Sequence, residues 1–260
     1  MKDPILLALI FILGITVGSF LNVLIYRLPR KMSLIRPRSR CPQCDSKIKF
    51  YDNIPIFSFL FLRGKCRACG GRIPFRYPVV EALAGLLSVV AMFHFGITLK
   101  GLEAMFLSLI FIAIFFIDLE FTIIPDVFTL PGVIIGFGLS FFPGGFVGWN
   151  HSLIGLLVGG GAFFLVGVLG EFLFKKEALG FGDVKFAAML GAFLGWQNLI
   201  LILILASFLG SVVGITMIYL SGRRGKSSYI PFGPFLVAGA LIAVYFGNII
   251  IRAYLDFIGA

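Results

Sequence analysis

The sequence predicts an all-α polytopic membrane protein of about eight transmembrane helices, with one small polar loop domain on the cytoplasmic side. Three observations carry this. First, the 260 residues are 59% hydrophobic with a mean hydropathy of +1.05; a soluble chain runs nearer half apolar and does not gather apolar residues into runs of membrane length. Second, such runs recur from residue 4 almost to the C-terminus, and the chain holds 32 Gly, a residue commoner in membrane helices than in soluble ones. Third, 13 of the 22 Lys+Arg fall between Arg27 and Arg76, opposed there only by Asp45 and Asp52. In a membrane protein such an excess marks a cytoplasmic loop facing anionic lipid. Nucleic acid is the other partner a basic segment serves, and the membrane setting argues against it.

Residues 4–26 are long enough to span at ~1.5 Å per residue against a ~30 Å core. The run is too long for a signal-peptide core and no A-x-A-like cleavage site follows, so a retained helix is expected. Residues 27–77 form the polar loop domain, within which Ile54 to Leu62 is apolar enough to pack that domain or lie on the membrane surface. Seven more spans are expected in residues 78–260, at about 78–97, 101–118, 127–143, 151–174, 184–197, 199–220 and 232–255. The segment 184–197 is short and broken by Gly191 and Gly195.

Threading eight spans with the 27–77 loop inside puts both termini outside. Lys175, Lys176, Lys185, Arg223, Arg224 and Lys226 then also fall inside, and the opposite loops hold almost no cations apart from Lys100. The same threading brings Asp118, Asp126 and Asp183 to one depth, the cytoplasmic border.

All four cysteines lie in the polar loop, as Cys41-Pro42-Gln43-Cys44 and Cys66-Arg67-Ala68-Cys69, with 21 residues between the pairs. Each CxxC can fold into a knuckle that turns two thiolates onto one metal, and two knuckles complete a tetrahedral S₄ site suited to Zn²⁺. Gly64, Gly70 and Gly71 give turn freedom around the second pair. The set offers no open position, so the zinc is expected to be structural, and it would supply much of the loop's folding free energy.

Asp118 closes the apolar run LSLIFIAIFFID, and Asp183 stands in Gly180-Phe181-Gly182-Asp183-Val184-Lys185 just before another. An ionisable group at the border of a span is costly and marks function by default. Two carboxyls sharing a site divide one proton between them, so that one activates water while the other protonates a carbonyl oxygen. Gly180 and Gly182 permit a tight or left-handed turn and close helix approach. Asp183 would then stand where the positive helix end favours its charge. Asp126, after the break at Pro125, serves either as a helix cap or in the chemistry. With Lys185, Gly180 and Gly182 it is a candidate accessory residue. Glu120 is expected to be solvated at the membrane surface.

Together these motifs resemble the bacterial type IV prepilin peptidases, bifunctional leader peptidases and N-methyltransferases. The likeness runs almost end to end: Gly18-Ser19-Phe20-Leu21-Asn22-Val23 with Arg27-Leu28-Pro29, the CxxC pairs, Arg76-Tyr77-Pro78 with Glu81, Asp118 with Pro125-Asp126, Gly180 to Lys185, and Pro231-Phe232-Gly233-Pro234. The GxGD element is shared with intramembrane aspartyl proteases of the presenilin kind. The resemblance implies that Asp118 and Asp183 are the catalytic pair. It implies a prepilin or pseudopilin substrate, whose basic leader is cut off after a Gly beside its hydrophobic stretch, and methylation of the new N-terminus from S-adenosyl-L-methionine. It also implies that the cysteine loop serves the methyl transfer and that the enzyme sits in the bacterial inner membrane. No Gly-rich nucleotide motif occurs in the loop, so no residue is assigned to the methyl donor. The rival reading, a proton-coupled transporter with intramembrane carboxylates, explains the aspartates but not the cysteine module.

Overall fold

A computed structural model describes residues 3–36, 39–175, 180–221 and 230–259. Of the charges used for threading, Arg38, Lys176, Arg223, Arg224 and Lys226 lie outside the described residues. The helices run α1 Pro4–Arg27, α2 Phe57–Phe61, α3 Arg76–Phe95, α4 Leu99–Phe121, α5 Asp126–Leu139, α6 Trp149–Phe174, α7 Phe181–Ser221 and α8 Gly233–Ile258. Among the described residues there is no strand, only two isolated bridges, Arg40 with Lys47 and Lys65 with Arg72.

The chain is a multi-pass membrane protein: six of these helices, α1, α3, α4, α6, α7 and α8, are long and apolar enough to cross a bilayer. The expected spans map onto α1 and α3–α8 with two differences. The span at 127–143 is only the 14-residue α5, shorter than the ~20 residues a crossing needs. The spans at 184–197 and 199–220 are merged in the 41-residue α7, interrupted at Gly195, where φ is 77° and ψ is 170°. At 1.5 Å per residue an unbroken helix of that length would be about twice a bilayer core. The interruption falls at the second of the two glycines; Gly191 stays helical.

The chain divides into two compact units, Met1–Ala113 and Ile114–Ala260. In the first, α1 packs on α3 through small residues. A Cβ at Gly14 would meet the Gly85 backbone at 2.7 Å, and one at Gly18 would meet Ala84 and Glu81 at 2.8 Å. Gly14 and Gly18 are four apart, so both lie on one helix face and let the backbones close up. Asn22, one turn further on and 2% exposed, donates from Nδ2 to the Tyr77 carbonyl at 3.0 Å. In the second unit α7 is central. Met189 and Phe193 fill the hollows at Gly132 and Gly136 of α5, Gly155 and Gly159 of α6 lie against the backbone at Gly191 and Ala187, and Gly239 of α8 lies against Ile202.

Candidate active site and metal centre

Asp118 and Asp183 both belong to the second unit, and the fold brings them together. Asp118 ends the apolar run of α4 and is 5% exposed; Asp183 lies in the first turn of α7 and is 9% exposed. Their carboxyls are near enough to interact electrostatically. Each is also held by a backbone amide that a helix start leaves without a partner. The Gly233 amide, first in α8, donates to the Asp118 carboxylate. The Gly180 amide, just ahead of α7, donates to the Asp183 carboxylate, and the Asp183 amide donates to the Gly180 carbonyl at 3.0 Å. Two nearly buried carboxyls, each accepting a hydrogen bond from a backbone amide at a helix start and close enough to feel each other's charge, can divide one proton between them.

The glycines of this site work by their lack of a side chain. Of the roles the sequence allows these glycines, left-handed backbone is not used, as neither Gly180 nor Gly182 has a positive φ. A Cβ on Gly182 would sit 3.0 Å from that of Ile124 in the α4–α5 connection, and one on Gly180 would crowd the Asp183 carboxyl at 3.2 Å. Phe181, exposed, stands edge-on to Phe164 of α6 at 6.2 Å. Gly233 leaves the space that the Asp118 Oδ2 occupies, so any Cβ there would collide with it. The Pro231–Pro234 segment entered the sequence reading only as part of a likeness; its contact with Asp118 had no local signal.

Asp126 does not cap α5. The cap position is Pro125, and no side-chain capping bond forms. The Asp126 carboxylate instead accepts from Lys185 Nζ, 2.8 Å to each oxygen. Lys185 is two residues beyond Asp183, so two of the four accessory candidates form one ion pair across the starts of α5 and α7. Glu120 is exposed, as expected.

In the first unit the two CxxC segments fold alike. The Cys41 amide donates to the Ser46 carbonyl at 3.0 Å and the Cys66 amide to that of Gly71 at 2.8 Å; Asp45 and Gly70 donate back to the carbonyls of Cys41 and Cys66 at 2.9 Å each. The turn residue is left-handed in both, Asp45 at φ 53° and Gly70 at φ 71°. Glycine takes that conformation freely and aspartate is among the few others that do so readily. The four sulfurs lie within 4.8 Å of one another, with Cys41 Sγ and Cys69 Sγ 3.9 Å apart. Four thiolates at ~2.3 Å from a tetrahedral Zn²⁺ would be separated by ~3.8 Å, so the donor set fits that ion. The knuckle amides prepare the charge. N–H groups of Cys69 and then Ala68 bring the Cys66 thiol down to about 6. The Ser46 hydroxyl, aided by its amide, lowers Cys44. The Gly71 amide pulls Cys69 downward, but its neighbour Cys44, burial and the other thiols together push it up to about 11. Three like groups around it make Cys69 hard to ionise without a cation.

The family model for the Bacterial Peptidase A24 N-terminal domain matches residues 12–95, and that for the Type IV leader peptidase family matches residues 105–215. A protein of Stutzerimonas stutzeri is 38% identical over 269 residues, covering 95% of this chain and 92% of its own. One of Pseudomonas aeruginosa PAO1 is 36% identical over 271 residues, covering 95% and 93%. One of Myxococcus xanthus DK1622 is 44% identical over 222 residues, covering 85% and 66%. All three carry the name prepilin leader peptidase/N-methyltransferase. No solved structure matches the chain.

Proposed function

The chain belongs to the type IV leader peptidase family, and from that premise we propose that Asp118 and Asp183 are the water-activating pair of a prepilin leader peptidase that also N-methylates its product. The observation that carries this reading is the meeting of two nearly buried carboxyls from the end of α4 and the start of α7. One aspartate takes a proton from water as the water oxygen bonds to the scissile carbonyl carbon. The other gives its proton to the carbonyl oxygen. As the tetrahedral species collapses, the carbon–nitrogen bond breaks and the amine leaves with a proton. Neither step needs a covalent enzyme intermediate.

The substrate is a prepilin or pseudopilin whose basic leader stays in the cytoplasm. The enzyme lies in the inner membrane with both termini outside, and the 27–77 loop and the aspartates face the cytoplasm, at the depth of a leader-to-helix junction. In this arrangement residues 78–260 do the peptide chemistry and the cysteine loop, folded around a structural Zn²⁺, serves the methyl transfer. S-adenosyl-L-methionine supplies the methyl group. The transporter alternative has no support: both family models and the matched relatives are peptidases.

The test is prepilin cleavage by purified protein in detergent. Asp118→Asn and Asp183→Asn, which keep size and most hydrogen bonds, are expected to leave no detectable product. Normal processing by either variant removes the proposed mechanism.

A further inference from the structure

Beside the cysteine cluster, wholly within the first unit, lies a cavity of about 350 Å³ walled by Tyr51, Asp52, Ile54, Phe57, Phe61 and Arg67 among others. That volume is within the range of small-molecule sites, which begin at about 300 Å³. We infer that this cavity receives the methyl donor, an adenine nucleoside carrying a sulfonium and an amino-acid tail; the inference rests on the methyl-transfer reading and gives it a location.

The walls match the chemical parts of such a ligand. Tyr51, Phe57 and Phe61 offer ring faces, and Ile54 with Leu62 offers aliphatic surface, for a flat purine. The Tyr51 ring already draws cations: Lys49 Nζ lies 5.6 Å from its centroid and Arg67 Cζ 5.5 Å. A sulfonium is attracted to such a face in the same way. Asp52 is a carboxylate beside it, suited to a cation or to ribose hydroxyls. Arg67 gives Asp52 its Nε and Nη2, at 2.7–3.1 Å, and remains 55% exposed. Its guanidinium is therefore placed to meet a ligand carboxylate as well.

The cavity is built beforehand. Ser58 Oγ accepts from the Ile54 amide at 3.0 Å and donates to the Tyr51 carbonyl at 2.8 Å, closing the wall on itself. Ile56, a β-branched residue at φ 63°, is held in a backbone conformation it would otherwise avoid. Its amide donates to Glu81 Oε2 at 2.7 Å, which fastens the apolar wall to α3. The opposite wall depends on the metal knuckle, because Arg67 stands between Cys66 and Cys69. A structural metal there would fix the residue that bridges to Asp52, and so join the cysteine cluster to donor binding.

The experiment measures equilibrium binding of S-adenosyl-L-methionine and S-adenosyl-homocysteine to the full-length protein in detergent. Zinc content is assayed on every preparation to confirm that the loop is folded. Wild type is expected to bind. Tyr51→Ala and Phe57→Ala are expected to bind about tenfold more weakly or worse, the scale of one lost ring stack, whereas Tyr51→Phe, which keeps the ring, stays near wild type. Unaltered binding by both alanine variants at full zinc content overturns the cavity assignment alone. No binding to wild type, with no methyl transfer to cleaved pilin, overturns the methyl-transfer reading and the cavity with it.

Discussion

Lys185 Nζ sits 2.8 Å from each carboxylate oxygen of Asp126, joining the fifth residue of α7 to the first residue of α5. The pair is partly exposed, 31% at the lysine and 54% at the aspartate. An ion pair so open to solvent contributes roughly 0.2–1 kcal/mol. Its value lies in where it is: Asp183 is two residues from Lys185, so the pair steadies the turn that presents the acid.

That position sets a ceiling on its removal. Asp126→Ala or Lys185→Ala is expected to lower kcat/KM for prepilin cleavage by no more than about tenfold, or ~1.4 kcal/mol. The exchanged pair, D126K with K185D, should recover part of the loss. An Asp126→Ala enzyme as inactive as Asp183→Asn would instead place Asp126 in the chemistry.

Gly233→Ala tests the seat of Asp118. The added Cβ must fall on the Asp118 Oδ2, and the backbone at the head of α8 cannot retreat without moving Pro234. A displacement near 1 Å in a catalytic group can reduce turnover about 10²-fold. Cleavage should drop by that order while the thermal unfolding midpoint in detergent moves little. Wild-type cleavage by this variant would mean that the Asp118 position in the structure is not the working one.

The cysteine site makes a prediction about pH. Cys66 is down at about 6 and Cys69 up at about 11. At neutral pH the metal therefore meets a thiolate at Cys66 but must displace a proton from Cys69. Protons compete with the metal, so apparent zinc affinity should rise with pH between about 6 and 11, by about tenfold per unit for each proton displaced. It should fall more steeply below about 6, where Cys66 also binds a proton. Chelator competition across pH 6–8 measures the slope; a flat profile would rule out Cys69 as a ligand. Cys44→Ser should lose the metal at any pH in this range.

Much of this was legible because it is written in local chemistry. The CxxC spacing announces a four-sulfur cluster since each knuckle is short-range. The α1, α3, α4, α6 and α8 spans follow from length and apolarity alone. What the sequence hid is relational. The glycines around Asp183 allow a tight turn or a close approach, but nothing local says that the segment approaching Gly182 is Ile124, distant in sequence. Asp126 beside Pro125 reads as either a helix cap or part of the chemistry, and only the meeting of α5 with α7 gives it Lys185. Gly233 has no signal of its own for contact with Asp118. The likeness of the two knuckles, CPQCDSK and CRACGGR, is concealed because Asp45 and Gly70 solve one left-handed position with different residues.

Helix packing gives the last prediction. Gly155 of α6 and Gly191 of α7 face each other so closely that a Cβ on either would enter the backbone of the other. Gly159 meets Ala187 one turn away, and Ser152 Oγ donates across the same seam to the Ala192 carbonyl at 2.6 Å. In lipid there is little hydrophobic drive to hold helices together, so such close backbone contact carries the association. Gly191→Leu must part α6 from α7, an overpacking that costs typically 1–3 kcal/mol. Because α7 carries Asp183 and packs on α5, α6 and α8, the expected result is a lower unfolding midpoint in detergent together with loss of cleavage. Gly161→Leu is the control on α6: a Cβ there meets nothing within 4 Å, so the same added bulk should leave the midpoint in place. Equal damage from both substitutions would mean that bulk on α6 or α7 is harmful in general and that the Gly155–Gly191 seam has no special part in holding the unit together.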